Sequence, residues 1–583
     1  MIMKKTFLIG ASLLVAGSAL GQTTAETKKE TASGGPGSAF EEFRQKIHSD
    51  FQDFRHTILE HYADFLEGTW HEYEPLEPMK RSEQPKPVKI PDVTLDKPST
   101  KPVRLPKPVL ARIPGQGDTK LPSLQDELGG KLPGQTAPVT SPDLSGEITL
   151  PPSPFDPPKA EIPPEARHEV PLSLGVRPQL GVPVLGQVPV IPIPLPEEET
   201  AQTPEPVETP QPAPEASADK DIVKFYGMEL LVPKVDFRIS DSLEKVSDFA
   251  RHWKALEEQD VATKVIDALA PEIGKMGLND YLAYEFICAY MDSKFPQAGI
   301  SPKLSAVHYL LANLGFNARI AVATKTGDPI ILIPADQKLY GVTYMQIGGE
   351  NFYVLGNRFA KIAGSPLATC DLPKVASQGK RFDMKVRSLN LPVKERRFDV
   401  KYGNLNLTGT VNENLMPMLY RYPQMDTGDY AQSVLDEGLR QDLVRQVKEQ
   451  LGGKGALAAT DELLRFVQEG FEYATDDDFH GFEKPYFLEE NLFYPKNDCE
   501  DRAIFYTYLL WNALGVENQL LAFPGHESAS VCLPGENISG TSYEHDGKRY
   551  YISDPTYIGS KTGMCMRRYE KTPPTVDMSY PDK

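Results

Sequence analysis

Three residues in the last third of the chain are of the types that together carry nucleophilic acyl chemistry: Cys499, His526 and Asp554. Cys499 stands in NDCEDRAIFYTYLLWNALG, residues 497–515, where Asn497 and Asp498 signal a helix start and Gly515 its end. A thiol in the first turn of a helix feels the partial positive charge of unpaired amides. That charge favours thiolate, and the same N–H groups can receive an oxyanion. Asp498, Glu500 and Asp501 work against the thiolate, so a cationic partner is required. His526, preceded by Gly525 at a strand start, is the expected partner, exposed at a sheet edge. Asp554 leaves a later strand just before Pro555. If the two strands run antiparallel, the start of one meets the end of the other, and imidazole and carboxylate come within hydrogen-bond reach. The order Cys, His, Asp then reads as nucleophile, base and orienter, provided the three meet at an accessible spot.

The elements that must position them can be read from the same stretch. A helix over 499–514 carries Ile504, Tyr508, Leu509 and Trp511 on its apolar side. Strands follow over 516–523 and 527–534, and a hairpin over 541–553 turns at Asp546-Gly547. This predicts an α+β domain with an antiparallel sheet. An internal repeat extends the prediction. DIVKFYGMEL at 221–230 matches FDVKYGNLNL at 398–407, LSAVHYLLANLGFNARIAVA at 304–323 matches IFYTYLLWNALGVENQLLAF at 504–523, and GGENFYVLG at 348–356 matches DGKRYYISD at 546–554. Three weak similarities in one order point to a tandem duplication.

DCEDRA with Cys499, NALG with Gly515, GHESASV with His526 and SDPTY with Asp554 resemble, in this order, the transglutaminase-like superfamily, whose fold is related to the papain-like cysteine proteases. The resemblance implies a catalytic domain over 398–570 with Cys499, His526 and Asp554 as its reacting set. It also implies a degenerate copy over 221–365, joined by a connector over 366–397. In that copy Gly299, Asp328 and Gly356 occupy the cysteine, histidine and aspartate positions, so no chemistry is expected there. Glu527 and Ser528 follow the histidine where the family has a small residue and an aromatic, and GENISGTSYEH lengthens the hairpin. No tryptophan upstream of Cys499 is placed to donate to an oxyanion, which leaves Tyr494 and Asn497 as substitutes.

The rest of the chain reads differently. Lys4 and Lys5, an apolar run over 7–20 and the small-residue pattern Ala19-Leu20-Gly21 predict a secretory signal peptide over 1–21, hence a periplasmic or extracellular protein with no transmembrane segment. Apolar residues spaced by three and four over 40–66 predict an amphipathic helix within 40–70, able to bind a protein partner, to self-associate or to fold back. Proline dominates 74–219, a composition expected to form a disordered linker. The net charge of −19 argues against nucleic acid as partner. The five cysteines allow one free thiol and up to two bridges, with Cys370 and Cys565 the pair left open to bridging. No metal cage, phosphate loop or dinucleotide motif is evident, so neither cofactor nor metal is expected. The functional expectation is an exported cysteine hydrolase or acyl transferase acting on amide bonds of a peptide or protein substrate. The alternative is a non-catalytic scaffold tethered through its N-terminal helix and linker.

Overall fold

The computed structural model describes residues 62–80, 103–105, 107–110, 219–355, 365–371 and 379–581. All of them belong to one compact unit. The signal-peptide reading over 1–21 and most of 40–70 and 74–219 lie outside the described residues. Among the described residues no helix is long and apolar enough to cross a membrane.

The described chain opens with helix α1 (Tyr62–Glu67) and the short strands β1 (Trp70–Tyr73), β2 (Val103–Arg104) and β3 (Val109–Leu110). The first half then runs through the hairpin β4 (Lys220–Phe225) and β5 (Met228–Pro233). Four helices follow: α2 (Ser247–Glu258), α3 (Val261–Met276), α4 (Asp280–Lys294) and α5 (Ile300–Asn313). Strands β6 (Arg319–Ala323), β7 (Pro329–Pro334), β8 (Tyr344–Ile347), β9 (Glu350–Val354) and β10 (Leu367–Cys370) complete it.

The second half has the same plan. A hairpin of β11 (Glu395–Tyr402) and β12 (Leu405–Asn412) precedes helices α6 (Glu437–Leu451) and α7 (Ala456–Gly470). The short parallel pair β13 (Glu472–Tyr473) and β14 (Lys496–Asn497) leads into α8 (Cys499–Leu514). Strands β15 (Glu517–Phe523), β16 (His526–Cys532), β17 (Thr541–His545), β18 (Lys548–Ile552) and β19 (Thr575–Tyr580) follow. Gly315 and Gly515 end the last helix of each half at φ of 84° and 67°, where a side chain would be strained. The hairpin turn at Asp546-Gly547 has both φ angles positive, as expected for that dipeptide.

Sheet order makes the correspondence explicit. The first sheet reads β8-β9-β7-β6-β10-β1, and the second β17-β18-β16-β15-β19-β3 with β2 added beyond β17. The architecture is therefore mixed α+β with antiparallel sheets curled toward half-barrels. Both faces of each sheet are buried. Ile320 and Val322 face the main core with the helices, while Ala321 and Ala323 join the small cluster within the first sheet. In the second sheet Leu520 belongs to the main core, and Leu521 and Phe523 to the inner cluster. The main core runs through both halves, from Tyr62 to Met578.

The expectation of an unstructured tether over 74–219 does not describe residues 76, 103–105 and 107–110. β1 pairs with β10, and Leu76 bridges Tyr344 at the opposite edge of the first sheet. β2 pairs parallel with β17 and β3 parallel with β19, on the two edges of the second sheet. From Arg104 to Val109 the chain reaches at most about 19 Å, whereas the flat strand spacings between β2 and β3 would cover about 29 Å. Only a curled sheet lets so short a segment touch both edges. Unpaired edges invite association with other chains, and these segments cover them.

Helix α1 lies against α2. Its Tyr62 stacks on Trp253 at 4.2 Å and its hydroxyl is 3.1 Å from His308 Nε2. Within 40–70, the described helix α1 is thus folded back onto the first half.

Candidate active site

Helix α8 starts where the sequence predicts. Asp498 is its N-cap, and its amide donates to Asp501 Oδ2 at 3.2 Å. Asp501 Oδ1 also accepts the Tyr486 amide at 2.8 Å, which ties the segment before the helix to its first turn. Arg502, fully buried, donates to Asn497 Oδ1 at 2.8 Å and to the carbonyls of Gln468 and Phe471 at 3.1 and 2.8 Å. The start of α8 is thereby locked to the end of α7. Unlike the amphipathic expectation, α8 is buried on nearly every side between Cys499 and Thr507, whereas Trp511 is half-exposed.

β16 and β18 are antiparallel, Ser530 opposite Ile552. This brings His526, at the start of one, to Asp554, just past the end of the other. His526 Nε2 is 2.8 Å from Asp554 Oδ2. Asp554 Oδ1 accepts the amides of Thr556 and Tyr557 at 2.9 and 3.2 Å, so the carboxylate is held as an acceptor on both oxygens. The loop that carries it is fixed by a residue the sequence reading did not single out. Gln468 on α7 donates to the carbonyls of Asp554 and Tyr557, each at 2.9 Å, and accepts the Gly559 amide at 3.1 Å.

The sulfur of Cys499 lies along the same strand start, where the backbone amide of Glu527 hydrogen-bonds to it and favours thiolate. The larger influences run the other way. Burial, then Glu500 and Asp498, hold the thiol well above its ordinary pKa. Cys499 Sγ donates to Glu500 Oε2 at 3.1 Å, so the thiol proton is directed at a carboxylate. Asp498 and Asp501 are themselves raised well above the carboxylate range, chiefly by burial and then by neighbouring acids.

His526 is not the exposed edge residue expected from its position. It is 4% exposed, and Cys499 and Asp554 are each 2% exposed, so all three side chains are closed off from solvent. The ring of Tyr569 stacks on His526 at 5.4 Å with an 8° interplanar angle. Its hydroxyl donates to Pro524 O at 3.2 Å, which pins the cover in place.

Of the residues named as oxyanion donors, Asn497 is committed elsewhere, donating to Asn491 Oδ1 at 2.8 Å and accepting from Arg502. Tyr494 packs among Tyr486, His480 and Phe493. Burial first, then the Cys499 thiol, Asp498 and Glu500, hold the hydroxyl of Tyr473 on β13 well above its ordinary pKa. Its buried hydroxyl has no hydrogen-bond partner, and Arg502 sits 5.1 Å from its ring centre. The β13–β14 pair sets Tyr473 opposite Asn497, two residues before Cys499.

Other candidates separate from the site. Cys288, Cys370, Cys532 and Cys565 are free, so Cys370 and Cys565 form no bridge. His545, at the end of β17 before the hairpin turn, has its Nδ1 2.7 Å from Gln519 Nε2. Gly299 is the N-cap of α5 and Asp328 precedes β7, while Gly356 lies outside the described residues.

Although no metal ligand was read from the sequence, two groupings among the described residues have ligand atoms within 4.8 Å of one another: Asp498, Cys499 and Glu500, and Asp476, Glu483 and Glu500. Asp498 Oδ1 is buried without a hydrogen-bond partner. The oxygen-rich donors are of the type a hard divalent cation takes, with Glu500 common to both groupings. No family model matches the sequence, and no curated protein matches it.

Proposed function

We propose that this chain is an exported cysteine hydrolase or acyl transferase of transglutaminase-like type, acting on amide bonds through Cys499, His526 and Asp554. In this reading residues 221–365 are a second transglutaminase-like domain that lacks the reacting groups and serves as scaffold. The observation that carries the proposal is the 2.8 Å contact of His526 Nε2 with Asp554 Oδ2, made while the amide of the next residue, Glu527, reaches the Cys499 sulfur. With Nε2 engaged, Nδ1 is the ring nitrogen left to take the thiol proton.

The thiol turns from Glu500 toward the imidazole, and its sulfur attacks the amide carbonyl as the proton passes to Nδ1. Backbone amides in the first turn of α8 and the Tyr473 hydroxyl receive the oxyanion. Collapse breaks the C–N bond, the amine leaves with the proton from Nδ1, and water cleaves the thioester by the reverse sequence. Asp554 keeps the ring oriented throughout. Water is always at hand as acceptor, which favours hydrolysis over cross-linking.

A non-catalytic binding role is the second reading, favoured by the burial of the thiol and its bond to Glu500. Iodoacetamide alkylation near neutral pH, mapped residue by residue, separates the two. The enzyme reading expects Cys499 to react faster than half-exposed Cys565, and expects Cys499→Ala to abolish peptide hydrolysis. His526→Ala should slow hydrolysis by about a hundredfold or more. Equal alkylation of the two thiols, with all activities surviving in Cys499→Ala, would end the proposal.

A further inference from the structure

The two short strands that cover the edges of the second sheet share a sequence. β2 begins at Val103 in Lys101-Pro102-Val103, and β3 begins at Val109 in Lys107-Pro108-Val109. In each case the valine is the first paired residue, the pairing is parallel and the residue opposite is a threonine: Val103 faces Thr541 and Val109 faces Thr575. The tripeptide occurs a third time, as Lys86-Pro87-Val88.

The match between 86–91 and 101–106 extends further, KPVKIP against KPVRLP. The structure gives a reason for two shared features of the seated copy. Arg104 Nη1 lies 4.0 Å from Glu544 Oε1, and the other copy keeps a cation there as Lys89. The Leu105 amide donates to Ser542 O at 2.8 Å, and its side chain, 6% exposed, enters the inner apolar cluster beside Leu521, Phe523 and Tyr569. The other copy keeps an aliphatic residue there as Ile90, and both copies then present a proline, which has no amide to continue the ladder.

We propose that the β17 edge of the second sheet and the apolar cluster inside it are a peptide-recognition site for the pattern Lys-Pro-Val-basic-aliphatic-Pro. Residues 103–105 fill this site in cis, and residues 86–91 are a second ligand whose residues 88–90 can replace them. Recognition is strand addition to a sheet edge: backbone pairing supplies general affinity, while the aliphatic anchor and the cation opposite Glu544 supply selectivity. The anchor touches the cluster that contains Tyr569, whose ring covers His526. Exchange of the occupant therefore acts next to the candidate active site, although recognition itself does not depend on the enzyme reading.

The test uses the full chain and a fluorescein-labelled peptide QPKPVKIPDV, the sequence of residues 84–93. In the native chain the cis copy competes at an effective concentration of about millimolar, so the peptide binds weakly. Leu105→Asp combined with Ile90→Asp in the chain removes both cis copies, and peptide affinity should rise tenfold or more. The same peptide with Ile90→Asp should bind neither protein. A folded Leu105→Asp/Ile90→Asp chain, judged by circular dichroism and thermal unfolding, that binds no peptide overturns the proposal, as does equal binding of the Ile90→Asp peptide. If that variant does not fold, hydrogen exchange on the native chain decides. Millimolar peptide should deprotect residues 103–105, and unchanged protection counts against exchange. The second ligand is residues 86–91 of the same chain, so sedimentation should show a monomer across concentrations, and a dimer that Ile90→Asp abolishes would overturn that assignment.

Discussion

Cys499 directs its proton at Glu500 rather than at a base, and burial together with Glu500 and Asp498 keeps the thiol well above its usual range. Removing one of those charges must lower the thiol pKa, because the neighbouring carboxylate penalises thiolate and not thiol. Glu500→Gln should therefore raise the rate of Cys499 alkylation at pH 7.5 several-fold. The difference should shrink toward high pH, where thiolate forms in both proteins; stopped-flow disulfide exchange reads it directly, and a slower variant would show that Glu500 assists the thiol. The types and order of Cys499, His526 and Asp554 were legible because each stands at a local signal: a helix cap, a glycine before a strand, a proline after one. Tyr473 was not. It is set opposite Asn497, two residues before the thiol, by the two-residue pair β13–β14, and nothing in residues 472–473 marks that partnership. The acids were legible as charges, but their sharing of Glu500 with Asp476 and Glu483 needed the fold.

Helices α7 and α8 and the strand pair β16–β18 form the frame that brings these groups together. Gln468 is its central polar joint, reaching Asp554, Tyr557, Gly559 and Ser560 from one buried side chain. Gln468→Leu keeps the volume and deletes the bonds, leaving buried carbonyls and an amide without partners. A loss of about 2–4 kcal/mol is expected from chemical denaturation. If the Asp554 loop shifts with it, hydrolysis should fall while Cys499 alkylation stays near that of the native chain, since the thiol is anchored separately on α8. A variant as stable as the native chain would show the loop to be held by other contacts. The long elements themselves were readable: α8, β15, β17 and β18 lie within about two residues of their sequence assignments, because glycine turns and caps delimit them. The burial of His526 was not, because its cover, Tyr569, comes from a three-residue 3-10 turn after the last hairpin. A strand's own sequence reports alternation and ends, not what a later segment lays over it.

At the scale of the molecule the proline-rich chain, where it is described, pairs with both edges of the second sheet and bridges the edge of the first at Leu76. Composition hides this, since strands of two residues carry no periodicity and proline argues against pairing in general. The same N-terminal region seals the first half by burying α1 over a histidine. His308 is held down to about 3 by burial, and nearby His252 to about 4 by the same cause. The folded-state pKa of His308 is depressed below the unfolded value of 6.5, so between about 6.5 and 3 the unfolded chain binds the extra proton. The stabilising contribution is complete above 6.5 and is lost as pH falls through that window. Over the two units from pH 6.5 to 4.5, at about 1.4 kcal/mol per unit, the loss from His308 alone approaches about 2–3 kcal/mol. His308→Gln removes this titration while leaving a polar group for the Tyr62 hydroxyl. The stability advantage of the native chain over the variant should therefore shrink by about 2 kcal/mol between pH 7 and pH 4.5. Denaturant unfolding of both proteins at the two pH values measures it, with carboxylate effects common to both cancelling in the difference. A gap that stays constant or widens on acidification would mean that His308 accepts its proton in place, and that α1 does not seal it from water.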